Sequence, residues 1–290
     1  MHALVALVAV TAVWGVTFVQ VKDALELYPL FAFLAVRFAI ASLALAAPAA
    51  GRMRGLGRSG WRAGVALGLL LALGYALQTA GLERTTVSSA GFITGLYVVF
   101  TPLLAFVLFR TRVGAAVWLG VALAVLGLAM LSGVGGAGDT VGDLLVLLAS
   151  AAYSLQIVLM ERYAPRYDAI AFTQAEMLAA CAGFVVVAVA LGQVELPRGW
   201  TVWSALLVTG IFASALGFLV QTWAQRRLSA ARTALAFALE PVWAGIFGFW
   251  LAGDRLGALG WGGCAVIMAG IAVAEPEAGR TLRRLVGRTA

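Results

Sequence analysis

The sequence predicts an all-α membrane protein with ten transmembrane helices, arranged as two inverted five-helix repeats. Three observations predict this fold: an extremely apolar composition, apolar runs of membrane-spanning length, and a second half that repeats the first. Of the 290 residues, 63% are hydrophobic and 11% are charged, and the mean hydropathy is +0.99. Soluble globular domains are only about 45–50% apolar. Lipid must therefore cover most of the folded surface.

Ten apolar runs are long enough to cross a bilayer. The connections between them are short, so we expect no soluble domain of appreciable size. The first run starts almost at Met1 without a basic segment before it and is too long for a signal peptide, so we expect it to be retained. The runs lie near residues 3–21, 30–48, 63–82, 86–109, 114–131, 141–160, 169–191, 201–224, 230–251 and 258–274.

The basic residues lie mostly on alternate connections. Fifteen Lys and Arg residues follow the even-numbered spans or occupy the tail, against four on the other side. The positive-inside rule then predicts that both termini are cytoplasmic. We expect a multi-pass protein of the plasma (inner) membrane. The net charge of +7 is explained by this asymmetry and by a basic tail facing anionic lipid headgroups, rather than by nucleic-acid binding. Cys181 and Cys264 lack metal-ligand spacing and are expected to be packing residues.

The second half of the sequence repeats the first. The segment RVGAAVWLG at 112–120 matches RLGALGWGG at 255–263, 143 residues later. Because each half holds five spans, an odd number, the second copy enters the membrane from the opposite side, which is a common plan for secondary transporters. We expect a first repeat at 1–138, an inverted repeat at 139–275 and a basic cytoplasmic tail at 276–290. Further aligned pairs are Gln78 with Gln221 and Gly127 with Gly270 at an offset of 143, and Trp14 with Tyr153 and Pro102 with Pro241 at an offset of 139. The change in offset by four is compatible with one helical turn or with a loop insertion.

Polar and aromatic side chains recur on one face of several spans. Such groups are costly in hydrocarbon unless they are hydrogen-bonded or hydrated. We therefore expect spans 1, 3, 4, 6, 8 and 9 to line a polar-aromatic cavity. The alternative is that these groups only bridge neighbouring helices, as Ser, Thr and Gln often do in membranes. The residues that predict the cavity are Thr11, Trp14 and Thr17, their equivalents Ser150, Tyr153 and Gln156, and also Tyr75, Gln78, Thr79, Thr94, Tyr97, Thr101, Ser214, Phe218 and Gln221.

Three charged residues lie well inside spans, where each costs about 2.5–3.5 kcal/mol on insertion scales. Arg37 and Glu176 are equivalent at the offset of 139. Arg37 either reaches the cavity or extends toward the membrane surface. Glu176 either titrates during transport or pairs with a neighbouring helix.

Glu240 is the third charge and stands beside Pro241. Ten residues into span nine, it lies roughly 15 Å deep, near the bilayer midplane. Pro241 lacks an amide proton and leaves the carbonyl of Phe237 without its helical donor. With Trp243 one turn further, this arrangement favours a cationic or amine-bearing substrate or a proton. The alternative is a structural glutamate satisfied by donors of neighbouring helices.

Four motifs in this order and spacing resemble the EamA-type branch of the drug/metabolite transporter superfamily. The resemblance covers nearly the whole chain except the tail. It implies two five-helix inverted repeats, a central cavity and export of small metabolites such as amino acids. Some relatives are drug or nucleotide-sugar carriers, so the substrate itself does not transfer. The motifs are Trp14-Gly15-x-x-Phe18-x-x-x-Lys22, Arg37-Phe38, GLYVVFTP at 95–102 and Leu239-Glu240-Pro241-Val242.

The sequence departs from this family pattern in three places. Family members commonly carry Tyr-Thr-Ser-Ala after spans three and eight, and Gly-Glu at the end of span nine. These differences concern loops and leave gating residues open. The corresponding segments are RTTV at 84–87, RLSA at 227–230 and Gly253-Asp254.

We therefore predict a secondary carrier that exports small amphipathic metabolites. No P-loop is present, so we expect that ATP does not drive transport directly. We also expect no cofactor and no metal. Its only histidine is His2, which excludes a histidine proton relay within the membrane. Multidrug efflux of organic cations is the alternative transport function; a membrane enzyme or a structural membrane protein would be another class. Expected partners are a small-molecule substrate and the bilayer, with monomer or homodimer left open. Expected substrate-binding residues are Trp14, Thr17, Tyr75, Gln78, Tyr97, Tyr153, Gln156, Gln221, Glu240 and Trp243. Expected coupling or gating residues are Glu240, Glu176, Arg37, Pro102 and Pro241.

Overall fold

A computed structural model describes residues 2–82, 84–85, 87–132, 139–247, 250 and 257–274. This part of the chain is all-helical. Its α-helices are α1 His2–Leu25, α2 Leu30–Ala49, α3 Gly57–Leu82, α4 Val87–Gly95, α5 Tyr97–Phe109, α6 Ala115–Ser132, α7 Thr140–Tyr163, α8 Ala169–Ala190, α9 Trp200–Leu207, α10 Gly217–Gln225, α11 Ala230–Phe237, α12 Glu240–Phe247 and α13 Ala258–Ala274. Short 3₁₀ turns cover Met53–Leu56 and Ala164–Arg166, and a π-helical segment covers Val208–Leu216.

Six helical segments of the described residues are long and apolar enough to cross a membrane. The all-α class is thereby confirmed, whereas ten spans and their inversion remain predictions. The segments are Leu30–Ala49, Met53–Gly81, Ala90–Phe109, Thr140–Arg166, Ala169–Ala190 and Trp200–Gln225. Shorter apolar helices cover His2–Thr17, Ala115–Leu131 and Ala258–Ala274.

Two of the predicted spans are each broken into two helices. The first break lies at Leu96, whose amide donates to Ile93 only three residues back, and the second at Leu239, whose amide donates in the same way to Ala236. The breaks lie 143 residues apart. The expected pairing of Pro102 with Pro241 is therefore wrong in structure: Pro102 lies inside α5, well after its break, whereas Pro241 is the second residue of α12.

The π-helical segment explains one residue of the change in repeat offset. Gly68 and Gly210 make equivalent contacts with the aligned residues Glu176 and Arg37. A Cβ added to Gly68 would clash with the carbonyl oxygen of Glu176, and a Cβ added to Gly210 would lie 3.0 Å from the carbonyl oxygen of Arg37. Gly68 and Gly210 are 142 residues apart, while Gln78 and its partner beyond the segment are 143 apart. A π-bulge adds a single residue to a helix. The offset therefore rises from 139 to 142 before Gly210, through a loop insertion of three residues, and from 142 to 143 through the π-bulge.

Helices α6 and α13 approach each other through paired glycines. A Cβ at Gly120 would lie 2.6 Å from the carbonyl oxygen of Gly270, and one at Gly127 would lie 2.6 Å from that of Gly263. Gly120 corresponds to Gly263, and Gly127 to Gly270, at the offset of 143. Each glycine thus contacts the repeat partner of the other, and any side chain here would force the two backbones apart.

The two ends of α2 are held by contacts to different connections. Beside its first turn, the Tyr28 hydroxyl donates to the carbonyl of Glu195 at 2.5 Å. Beyond its last turn, Arg52 pairs with Asp168 at 3.0 Å. Partial burial disfavours the charged Asp168, but hydrogen bonds from the amides of Ala171 and Ile170 and from Arg52 outweigh it and hold the pKa of Asp168 below its usual value.

Candidate functional site

The predicted site residues separate into two polar clusters with different access. The open cluster consists of Arg37, Tyr75, Gln78, Tyr153 and Glu240, and all of these except Arg37 are only half-buried. The amide cluster consists of Gln156, Glu176, Gln221 and Gln225, none of which is more than 2% exposed.

Arg37 points inward from α2 and is held by two other elements. Its Nε donates to the hydroxyl of Ser214 in the π-helical segment at 2.8 Å, and its Nη2 donates to the Tyr75 hydroxyl on α3 at 3.2 Å. The guanidinium also lies over the Tyr75 ring, 5.2 Å from its centroid. Within the described residues, no carboxylate lies within 4.0 Å of this guanidinium. The structure therefore shows a fixed, inward-facing cation and no extension toward the membrane surface.

Tyr75 and Tyr153 form an aromatic wall beside Arg37. The two rings meet edge to face with centroids 5.7 Å apart. Tyr153 donates from its hydroxyl to Gln78 Oε1 at 3.1 Å, and Gln78 Nε2 donates to the Thr94 hydroxyl at 3.0 Å. These bonds fix the orientation of the Gln78 amide between α3, α4 and α7.

Glu240 is the acidic member of the open cluster. It is the first residue of α12, directly after the break in span nine. The carboxylate lies within electrostatic range of the Arg37 guanidinium, yet it makes no hydrogen bond or ion pair within the described part of the chain. A half-buried carboxylate without a protein partner is available to bind a ligand.

Two tryptophans stand near this cluster in different states. Trp14 Nε1 donates to the carbonyl of Ala213 in the π-helical segment at 2.8 Å, and its ring packs against Phe237 with centroids 4.9 Å apart. Trp243 stacks on Phe247 at 6.1 Å. Its buried Nε1 has no hydrogen-bond acceptor among the described residues. The indole N–H of Trp243 is therefore an unused donor beside the helix break.

The amide cluster uses most of its hydrogen-bonding capacity internally. Gln156 Nε2 donates to Glu176 Oε1 at 2.6 Å, and Gln221 Nε2 donates to the side-chain oxygens of Gln156 and Gln225, each at 3.0 Å. Gln225 Nε2 donates to the carbonyl of Ile157 at 2.8 Å. In this conformation neither Gln156 nor Gln221 is open to a solute, and both bridge helices instead. Glu176 Oε2 and Gln221 Oε1 are buried without a partner in the described residues.

The other expected site residues are mainly structural in this conformation. The Thr17 hydroxyl donates to the carbonyl of Trp14 in its own helix at 2.8 Å. Tyr97 is 5% exposed and is the first residue of α5, close enough to Glu240 for electrostatic interaction. Pro102 is buried and Pro241 is half-buried.

Gln225 completes the amide cluster and is not among the site residues predicted from the sequence. It lies four residues after Gln221 and therefore on the same helix face. That spacing was the available signal.

Comparison with known proteins assigns the family. A sequence model of the EamA-like transporter family matches residues 1–133 and 140–274. An uncharacterized transporter of Archaeoglobus fulgidus is 31% identical over 252 residues, covering 85% of this chain and 77% of that protein. The uncharacterized transporter YyaM of Bacillus subtilis is 25% identical over 190 residues, 61% of each chain. A solved crystal structure superposes with a TM-score of 0.79 at 20% identity, covering 97% of this chain and 98% of that one, and thus has the same fold. The chain therefore belongs to the EamA-like transporter family and is a membrane transporter.

Proposed function

We propose that this transporter exports small zwitterionic amphipathic metabolites, such as amino acids, across the plasma (inner) membrane by alternating access. The observation that carries the proposal is the open cluster. It presents a fixed guanidinium at Arg37 and an unpartnered carboxylate at Glu240, with aromatic rings between α3 and α7 beside them. A solute carrying both a carboxylate and an ammonium group complements both charges.

The opposite charges remain separate in the protein, and this separation favours a zwitterion. If Arg37 and Glu240 formed a direct ion pair, each would satisfy the other and a solute would have to break that pair. Instead, Arg37 retains donor capacity beyond its bonds to Ser214 and Tyr75. A substrate carboxylate would accept from Arg37 and its ammonium group would donate to Glu240, while apolar parts would contact the rings.

The proposed alternating access relies on ten spans in two inverted repeats, with both termini cytoplasmic. The reciprocal contacts of Gly120 with Gly270 and of Gly127 with Gly263 support the inversion. Two copies related by a two-fold axis make such contacts in pairs, residue i with j and j with i. The matching helix breaks at Leu96 and Leu239 support it as well, because broken helices at a repeat interface commonly build transporter sites.

Efflux of organic cations is the second candidate, and Glu240 beside aromatic rings is the feature that favours it. Arg37 argues against it, because the cation would enter a site that already holds a fixed positive charge. Proton coupling, if present, requires a carboxylate that exchanges protons with solvent during the cycle. The half-buried Glu240 meets that requirement better than Glu176, which is 0% exposed.

Mass spectrometry of the medium tests this function. Cells that express the wild type are compared with cells that express Glu240→Gln, matched for protein in the membrane. We expect amino acids or similar zwitterions to accumulate outside only with the wild type. Release of organic cations alone would favour the second candidate, and equal release by both strains would exclude Glu240 from the site.

A further inference from the structure

The outer, exposed face of α3 carries a shallow groove. Basic and aromatic residues line one end of the groove and apolar residues line the rest. All of them recur every three or four residues and so share one helix face, opposite the face that packs on α7 and α8. The lining residues are Arg58, Trp61, Arg62, Val65, Ala66 and Leu69.

The two arginines of this groove make no side-chain contact that neutralises them within the described residues. Neither Arg58 nor Arg62 makes an ion pair, hydrogen bond or ring contact in the described part of the chain. Two other arginines differ in this respect: Arg162 lies over the Phe109 ring at 5.5 Å and Arg227 over the Trp223 ring at 5.0 Å. Two exposed guanidiniums one helical turn apart are therefore free to contact an external anion.

The groove extends from the headgroup level into one leaflet of a bilayer, and its apolar part, Val65 to Leu69, covers about 6 Å along the helix. Arg58 and Leu69 are eleven residues apart, which is about 16 Å along an α-helix. The hydrocarbon core of a bilayer is about 30 Å thick, so one leaflet contributes about half of that. Trp61 lies between the two arginines at the basic end of the groove, and tryptophan favours the membrane interface.

We propose that this groove binds one anionic phospholipid. The headgroup phosphate is held by Arg58 and Arg62, which match phosphate geometry, the glycerol region lies beside Trp61, and one acyl chain follows Val65 and Leu69. Two positive charges beside an apolar surface on the same helix face favour a lipid over free phosphate. The inference is independent of the transported substrate.

Native mass spectrometry of the full-length purified protein tests this proposal. The protein is titrated with phosphatidylglycerol or with phosphatidylcholine of the same acyl chains in detergent micelles. The test variant is Arg58→Gln/Arg62→Gln. The control is Arg110→Gln/Arg112→Gln, which removes the same charge from an exposed connection. A third variant, Leu69→Gln, alters only the apolar end.

We expect the wild type and the control to bind one phosphatidylglycerol in preference to phosphatidylcholine. The test variant should bind it at least about tenfold more weakly, the equivalent of one lost charge-assisted contact. Leu69→Gln should weaken binding by a smaller factor. Equal binding of the two lipids by the wild type would overturn the proposal. An equal loss of phosphatidylglycerol binding in the test and control variants would also overturn it. The same holds if inorganic phosphate displaces the bound lipid and Leu69→Gln leaves binding unchanged. A change in oligomer mass instead of lipid occupancy would assign the groove to a second copy of the chain and also overturn it.

Discussion

The two stretches matched by the family model make equivalent close contacts but different polar ones. Gly74 packs against the Tyr153 ring. Gly217, its equivalent at the offset of 143, packs against the Trp14 ring, where an added Cβ would lie 3.0 Å from Trp14 Nε1. Trp14 and Tyr153 are equivalent at the offset of 139. In both halves, therefore, a glycine makes room for the ring of the opposite half.

The polar chemistry at these places has diverged between the halves. Arg37 extends toward Ser214 and Tyr75 and belongs to an accessible cluster. Its equivalent, Glu176, is fully buried and bonded to Gln156. The two halves thus share close backbone contacts, while one polar set is half-exposed and the other holds helices together. This difference is what the proposed assignment of the open cluster to a solute rests on.

The largest expected effect separates Glu240 from Glu176. Glu240→Gln removes the carboxylate charge that we propose binds the ammonium group of the substrate. Export should fall about 10- to 100-fold, the equivalent of one charge-assisted hydrogen bond. Glu176→Gln keeps an oxygen that accepts from Gln156, so export should stay within about twofold. Export rates from proteoliposomes, normalised to inserted protein, measure both. A greater loss for Glu176→Gln than for Glu240→Gln would reverse the assignment of the clusters.

A smaller effect is expected at the glycine contacts. Gly127→Ala places a methyl group against the carbonyl of Gly263, and such overpacking costs about 1–3 kcal/mol. Gly183→Ala is the matched control on α8, since its nearest neighbour, the side chain of Ala72, would lie at an ordinary 3.4 Å. Thermal unfolding in detergent should show a lowered melting temperature for Gly127→Ala only. Equal melting temperatures would mean that α6 and α13 are less tightly packed than the structure shows.

The amide cluster should affect stability more than transport specificity. Gln156→Leu removes the amide group that donates to Glu176 Oε1 and the oxygen that accepts from Gln221 Nε2. Buried polar groups are then left unpaired, which should lower the free energy of unfolding by about 1–3 kcal/mol. Gln78→Leu in the open cluster is the comparison variant, because its neighbours remain accessible to water. We expect the melting temperature to fall mainly for Gln156→Leu and the substrate profile to change mainly for Gln78→Leu. The opposite pattern would contradict the division between open and buried clusters.

The smallest expected effect lies outside the membrane, at Asp168. Its lowered pKa means that the carboxylate form stabilises the fold above the usual Asp range, and that this stabilisation is lost as the pH falls through the lowered value. Because the pair with Arg52 is exposed and screened, Asp168→Asn should cost less than about 1 kcal/mol near neutral pH. The difference in melting temperature between wild type and variant should vanish in acid. A difference that grows on acidification would show the opposite sign of coupling.

The sequence predicted those features that depend on a pattern along one helix. Glu240 beside Pro241 correctly indicated a helix break, and the glycine matches indicated equivalent helices. The sequence did not predict that Gln156 is engaged by Glu176, because periodicity identifies a helix face but not the residue that meets it. The π-helical segment was also hidden, since one residue inserted into an apolar run leaves hydropathy unchanged.

The central claim is that Arg37 and Glu240 recognise the two charges of one solute, and a charge-exchange transport assay tests it most directly. Proteoliposomes would be offered an apolar amino acid, its uncharged-carboxyl amide and its N-acetyl derivative. We predict that the wild type prefers the zwitterion, that Arg37→Gln gains relative preference for the amide, and that Glu240→Gln gains relative preference for the N-acetyl form. If both variants lose all three solutes in equal proportion, the two residues do not read solute charge and the claim is contradicted.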